Sequence, residues 1–446
     1  MAVGKILYKS VYWRSLQVIL SFFINLFLVR YFQSSISAEF YSFIYVLSLC
    51  SSFFTLGLDI GLNFFLASRR LSPRAARRII ISVAVLALLI CLPLLAVYFR
   101  PESYPDISLG KWLCFAACQI AGVLLTSLSG TIFTAHDQSY VPAQYSFGIN
   151  LALAALVFSM PLLFGVNGHR LVENLFFLYF GFSLLQGLIL FVVAMSRYPD
   201  TAAGIPDERE RPLTGPAGIR TMLRYSFMAF ITNFIFFVGG RLCIYLLPYW
   251  VDNDSLGNYI QAYKLVEYLS LLASFLYYPF IALVAGRRHT RTREWLLLFL
   301  VRLSNTAVLL FCLLMLIVGR SLLPFVYGYS FHRMYGIFIC FIPGLFPVCS
   351  STFFTAYFYG AGRLRYNFVS GCIQLGTVFI LFILLTRQWG VYGAAIAFSL
   401  AGLVSMAYDC IVFRKESPYR LRELFLARMP DWRMVGIFVR QWRKPA

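Results

Sequence analysis

Twelve apolar runs follow one another along the chain, at approximately 11–32, 40–66, 79–99, 111–133, 142–165, 175–196, 224–249, 257–284, 295–318, 334–357, 368–386 and 391–413. Each is long enough to cross a hydrocarbon core of about 30 Å as a helix. The runs are solidly apolar rather than alternating at period two, and a spanning segment must satisfy its own backbone hydrogen bonds, so helices and not a barrel are expected. Composition agrees: 60% of residues are hydrophobic and 13% charged, against about 25% charged in soluble domains. The expected fold class is an all-α polytopic membrane protein with about twelve transmembrane helices. No small-residue cleavage site follows the first run and the chain re-enters the membrane at once, so that run reads as a retained helix rather than a signal peptide.

A net charge of +20 raises the question of nucleic acid, and the distribution of the charge answers it. With the N-terminus inside, 27 of the 38 cations fall in alternate loops and the two ends: Lys5 and Lys9, the groups around Arg69–Arg78, Arg197–Arg224, Arg287–Arg293 and Arg363–Arg365, and the tail. The opposite loops hold Arg100, Lys111, Arg170, Arg320, Arg333 and Arg387. This is the positive-inside pattern, with both termini cytoplasmic and no nucleic-acid partner. The ten cysteines fall singly in apolar runs, with no CxxC. They read as packing residues, Cys114 and Cys118 included. His136, His169, His289 and His332 are scattered, so no metal site is supported and no cofactor is implied.

The segment RYPDTAAGIPDERERPLTGPAGIRT, 197–221, is rich in Pro, Gly and charge and reads as a cytoplasmic linker. It separates an N-terminal six-helix lobe, 1–196, from a C-terminal one, 222–413. Each lobe starts inside, so a duplication would be parallel, about an axis along the membrane normal. ASRR at 67–70 matches AGRR at 285–288, and GVNG at 165–168 matches GVYG at 390–393. Two pseudo-symmetric lobes around a central cavity suit alternating access. Residues 414–446 form a basic tail whose Leu, Phe and Trp content suits an amphipathic segment on the inner leaflet or, more simply, a loose topology anchor.

Eight ionisable residues lie within the runs, where a charge costs several kcal/mol unless it faces a polar cavity or a partner: Arg14, Arg30, Asp59, Arg241, Lys264, Glu267, Arg302 and Asp409. Four of these, Arg14, Arg30, Arg302 and Asp409, lie near helix ends. Snorkelling to the headgroups is expected of Arg14 and Asp409; for Arg30 and Arg302 snorkelling and function stay open. Arg241 follows Gly239 and Gly240, which would allow close approach or a local break that opens polar space beside it. Asp59 is deep, between Gly57 and Gly61, and a carboxylate there needs a cation or a proton. Lys264 and Glu267 share a helix stripe, at a spacing that lets ammonium and carboxylate meet. They could form a self-neutralising structural pair, or a cavity cation for an anionic substrate beside an acid that takes a proton. Pro93, Pro161, Pro279, Pro343 and Pro347 are expected to kink their helices.

Two stretches, LVRYFQSSISAEFYSFIYVLSLCSSFFTLGLDIGL at 28–62 and LGNYIQAYKLVEYLSLLASFLYYPFI at 256–281, together with GVYGAA at 390–395, resemble the Wzx-type polysaccharide flippases of the multidrug/oligosaccharidyl-lipid/polysaccharide (MOP) exporter superfamily, to which the MATE transporters also belong. The shared features are Arg30, Glu39 and Tyr41 around the first loop, and Gly257, Tyr259, Ala262 and Lys264 opening the eighth helix. The resemblance implies two six-helix lobes around a cationic cavity. It implies passage of an undecaprenyl-diphosphate-linked oligosaccharide from the inner to the outer leaflet of a bacterial inner membrane, in O-antigen, capsule or exopolysaccharide assembly. A glycan polymerase with its chain-length machinery would be a partner. Family cavity cations carry over to Arg30 and Lys264. Arg241 stands where the family often has an acid, a departure that suggests a more anionic substrate.

The expected substrate-binding residues are thus Arg30, Arg241 and Lys264, holding a diphosphate or an acidic sugar by charge-assisted hydrogen bonds. The coupling candidates are Asp59 and Glu267, for a proton or sodium. A MATE-type drug or cation antiporter is the nearest alternative, although an Arg- and Lys-rich cavity repels cationic drugs. A membrane glycan polymerase or glycosyltransferase would need larger outer loops than these, the longest being roughly 15 residues.

Overall fold

A computed structural model describes residues 2–55, 57–67, 71–98, 107–136, 138–164, 169–198, 215–277, 280–281, 284 and 290–417. Most of the expected linker (199–214), most of the repeat match ASRR and all of AGRR and GVNG, Pro279, and the tail beyond residue 417 lie outside the described residues.

The regular structure of the described residues is helical, with no strand among them. The helices are α1 (Ala2–Thr55), α2 (Leu58–Ala67), α3 (Pro73–Tyr98), α4 (Leu109–Ala135), α5 (Val141–Phe164), α6 (His169–Arg197), α7 (Gly215–Leu246), α8 (Asn253–Ser274), α9 (Thr290–Tyr327), α10 (Met334–Gly360) and α11 (Leu364–Glu416). Among the described residues, nine helices are long and apolar enough to span a membrane. All twelve expected segments have a helical counterpart. The numbers differ because the first and second segments run together in α1, the eleventh and twelfth run together in α11, and the eighth, α8, is too polar to qualify.

Both run-on helices contain one non-helical residue, Gln33 (φ 56, ψ −177) in α1 and Gly390 (φ 54, ψ −132) in α11. In α11 the chain folds back at this point. A Cβ on Gly393 would lie 2.1 Å from the Leu385 carbonyl, and Ser370 Oγ lies 2.8 Å from Ser405 Oγ. These pairs are centred near the same point, so the two halves run antiparallel. Glycine at 390 supplies the positive φ, and glycine at 393 the close approach. The expected proline kinks are not where the helices break: α3 continues through Pro93 and α10 through Pro343 and Pro347. Membrane helices tolerate proline because neighbouring groups satisfy the freed carbonyls.

The chain forms two compact units, residues 1–238 and 239–446. In the first, Phe32, Phe40, Phe43, Trp112, Phe115, Phe176 and Phe180 are buried in one aromatic cluster built by α1, α4 and α6. There α4 and α6 approach at small residues. A Cβ on Gly122 would stand 2.4 Å from the Ser183 carbonyl, and one on Gly187 would stand 2.6 Å from that of Gly122. Small residues at fixed spacing are what let membrane helices touch backbone to backbone. Lys111 of α4 pairs with Glu173 of α6 in the same interface.

In the second unit α10 packs along α11 in the same way. Gly344 sits against Ser399, whose hydroxyl donates to the Cys340 carbonyl at 2.7 Å. Tyr259 and Tyr263 of α8 meet Phe341 and Phe398 edge-on or tilted. The start of α8 is fixed by side chains. Asp252 caps it by accepting from the Ser255 N–H at 2.9 Å, Arg333 donates to the Ser255 hydroxyl at 2.6 Å, and Asn258 Nδ2 donates to the Ser330 carbonyl at 3.1 Å.

Candidate functional site

The polar character that keeps α8 off the list of simple spans places its functional groups. Asn258 and Gln261 are fully buried, whereas Lys264 and Glu267, one and two turns deeper, are only half-buried. On the facing end of α7, Arg241 is half-buried as well. Arg241 Nη2 donates to Glu267 Oε1 at 2.8 Å, with side-chain exposures of 27% and 23%. A second bond, Tyr263 Oη to the Gly240 carbonyl at 2.7 Å, fastens the same two helices next to Arg241 on α7 and one turn before Glu267 on α8.

α7 does not break at Gly239–Gly240. A Cβ at either position would meet its nearest neighbour at 3.6 Å, an ordinary contact. The glycines are therefore not needed for close packing, and the polar space beside Arg241 comes from Glu267 and the Gly240 carbonyl rather than from a kink. Arg241 pairs with Glu267, and Lys264 lies within electrostatic range of the same carboxylate, so the group keeps a positive excess when all three are ionised. Such a group can hold an anion by charge-assisted hydrogen bonds while the carboxylate limits the cost of the empty site.

Of the five expected site residues, the structure thus gathers Arg241, Lys264 and Glu267 in the second unit. Arg30 and Asp59 belong to the first. Arg30 is exposed on α1, just ahead of the Gln33 break. Asp59 is half-buried in the first turn of α2, where a helix N-terminus favours a carboxylate. The α2 start is set by Gly57 (φ 63), whose absent side chain leaves room for α7: a Cβ there would stand 2.4 Å from the Ser226 carbonyl.

Two charges near helix ends, Asp409, expected at the headgroups, and Arg302, left open, are buried. Asp409 is 2% exposed and Arg302 6%, with Arg302 Nε donating to the Leu298 carbonyl at 3.1 Å. For Asp409 this overturns snorkelling: its helix face packs against the other half of α11, so nearness to the helix end gives it no route to the surface. Arg14 is half-buried. Charge alone also missed the neutral polar contacts of this unit, such as Ser350 Oγ to Asn305 Oδ1 at 2.9 Å and the Ser370–Ser405 pair. Single serines and asparagines barely disturb an apolar run, so the only signal for them was their spacing on one helix face.

Among the described residues no group of three or more His, Cys, Asp or Glu is placed to hold a metal ion. What the fold and site define is a multi-pass helical membrane protein with a half-buried, cation-rich group at a helix pair. The chain is similar in structure to three proteins of known fold. Lipid II flippase MurJ in an inward closed conformation matches with TM-score 0.68 and 13% identity over 99% of this chain and 93% of that one. An inward-facing multidrug resistance MATE family transporter of the MOP superfamily matches with TM-score 0.65 and 13% identity over 91% and 96%. The Vibrio cholerae MATE transporter VcmN in its bent form gives 0.62 and 12% over 96% and 99%. The fold is the MATE-like fold that these three structures share. No protein-family model matches the sequence, and no curated relative does either.

Proposed function

We propose that the protein is a flippase that carries undecaprenyl-diphosphate-linked oligosaccharide repeat units from the inner to the outer leaflet of a bacterial inner membrane by alternating access, for O-antigen, capsule or exopolysaccharide assembly. The carrying observation is the half-buried group of Arg241, Lys264 and Glu267, with its positive excess on a fold shared with a lipid II flippase. Arg241 and Lys264 hold the diphosphate or an acidic sugar, Arg30 is a further substrate-binding residue, and the lipid tail stays in the bilayer. Glu267 releases Arg241 when substrate arrives. Glu267 or Asp59 then couples a proton or sodium to reorientation, and membrane potential adds about 2.3 kcal/mol per buried charge per 100 mV.

In this reading both termini are cytoplasmic and the chain is two six-helix lobes, 1–196 and 222–413, with a linker between them and a basic tail on the inner leaflet. The substrate would pass on to a glycan polymerase and its chain-length machinery. A drug or cation antiporter is the second reading. It is favoured by the similarity to a multidrug resistance MATE transporter and by the carboxylate that offsets Arg241. Deleting the gene separates the two. Accumulation of lipid-linked repeat units on the inner leaflet with loss of surface glycan supports the flippase; normal surface glycan with drug hypersensitivity overturns it in favour of the antiporter.

A further inference from the structure

Four polar side chains are packed inside the second unit where the two antiparallel halves of α11 meet. Asn367, Ser370, Ser405 and Asp409 are each 2% exposed or less. Ser405 lies one turn before Asp409 on the same face, and Ser370 bridges to both: its hydroxyl is 2.8 Å from that of Ser405 and within hydrogen-bonding reach of the Asp409 carboxyl. Ser405 Oγ also approaches the Ser370 carbonyl at 3.3 Å, and Asn367 Nδ2 donates to the Thr355 carbonyl of α10 at 3.1 Å.

One atom is left over. Asp409 Oδ1 is buried without a hydrogen-bond partner. Its titratable neighbours are Tyr408 and Cys410 on its own helix and Tyr366 on the other half, while Tyr357 of α10 lies against the nearby Phe413. The closest cations along the chain, Arg414 and Lys415 after it and Arg363 and Arg365 at the start of α11, have exposed side chains, and among the described residues no ion pair engages Asp409. An ionised carboxylate enclosed this way, with one serine hydroxyl and no counter-charge, costs several kcal/mol. A proton on the carboxyl removes that cost.

We propose that Asp409 is a proton-binding site of the second unit, and that its proton holds the two halves of α11 together through Ser370 and Ser405. The proton comes from water, forms an O–H bond on the Asp409 carboxylate, and returns to water when the bond breaks. Once ionised, the carboxylate needs water or a cation, and either one must enter between the two halves. Proton occupancy therefore sets the packing of this hairpin. This site is separate from Glu267, which is held by Arg241, and does not depend on what the protein transports.

The test is infrared difference spectroscopy on the full-length protein in lipid nanodiscs, titrated from about pH 5 to about pH 9, a span that covers the range reached by buried carboxyls. The expected result is a carboxylic-acid carbonyl band that is lost as pH rises and is missing in Asp409→Asn. Ser370→Ala keeps the band but shifts its frequency and its midpoint, which carries the test should Asp409→Asn fail to fold. Two results overturn the proposal: pH-dependent bands identical in wild type and Asp409→Asn, and a band of Asp409 that never changes with pH. A Ser370→Ala spectrum indistinguishable from wild type removes the serine link.

Discussion

Arg241 Nη2 and Glu267 Oε1 meet at 2.8 Å between α7 and α8, so the deepest cation of α7 is balanced by an acid from the next helix. Because both side chains are about three-quarters covered, removing one partner leaves the other charged and poorly solvated. Arg241→Gln or Glu267→Gln alone is expected to destabilise by about 2 kcal/mol, between the values for exposed and fully buried pairs. The double variant should recover most of this loss. Thermal unfolding of the four proteins in detergent gives the coupling, and simple additivity would show that the pair contributes nothing.

A second expectation concerns the break in α1. Gln33 is held at φ 56 and ψ −177, a region that only glycine occupies at ease and that costs other residues about 1–3 kcal/mol. Gln33→Gly should therefore raise stability by about 1 kcal/mol once glycine's greater freedom in the unfolded chain is subtracted. A lower melting temperature for this variant would mean that the Gln33 side chain contributes more than its backbone costs.

Two glycines on one helix should behave in opposite ways. Gly122→Ala places a methyl group 2.4 Å from the Ser183 carbonyl and forces α4 and α6 apart, at a cost of about 3 kcal/mol. Gly130→Ala meets nothing within 4 Å and should be neutral or gain about 0.5 kcal/mol. Equal melting temperatures for the two would contradict the close approach of these helices.

What the sequence made legible was governed by the chain's own hydropathy and charge: the helical segments, and the presence of Arg241, Lys264 and Glu267 within them. What it hid depends on partners far along the chain. Spacing within α8 drew attention to Lys264 as a companion of Glu267, while the contact to Arg241 crosses to another helix and leaves no local trace. Asp409 near a helix end read as a residue that reaches the headgroups, because a one-dimensional position cannot say which face the other half of α11 covers. The breaks fall at Gln33 and Gly390, whereas Pro93, Pro343 and Pro347 sit in continuous helices.

Acid should act on the cap of α8 in a defined direction. Partial burial works to raise the Asp252 carboxyl, but the N–H and hydroxyl of Ser255 and the nearby Arg333 outweigh it and hold the group below its ordinary value. The carboxylate's contribution is then fully present above the ordinary carboxyl value of about 3.9 and is lost as pH falls through the lower folded value. Asp252→Ala should cost about 1 kcal/mol at neutral pH, and its stability should converge on that of wild type in strong acid. A constant difference at all pH values would assign the effect to packing instead.

The most direct measurement is translocation itself. Purified protein reconstituted into liposomes with a labelled undecaprenyl-diphosphate oligosaccharide should carry the labelled lipid across the bilayer, measured by its accessibility to an external glycan-cleaving enzyme. Lys264→Ala combined with Arg241→Gln should slow this by at least about tenfold. Movement no faster than in protein-free liposomes, or an unchanged rate in the variant that lacks both cations, would contradict the account.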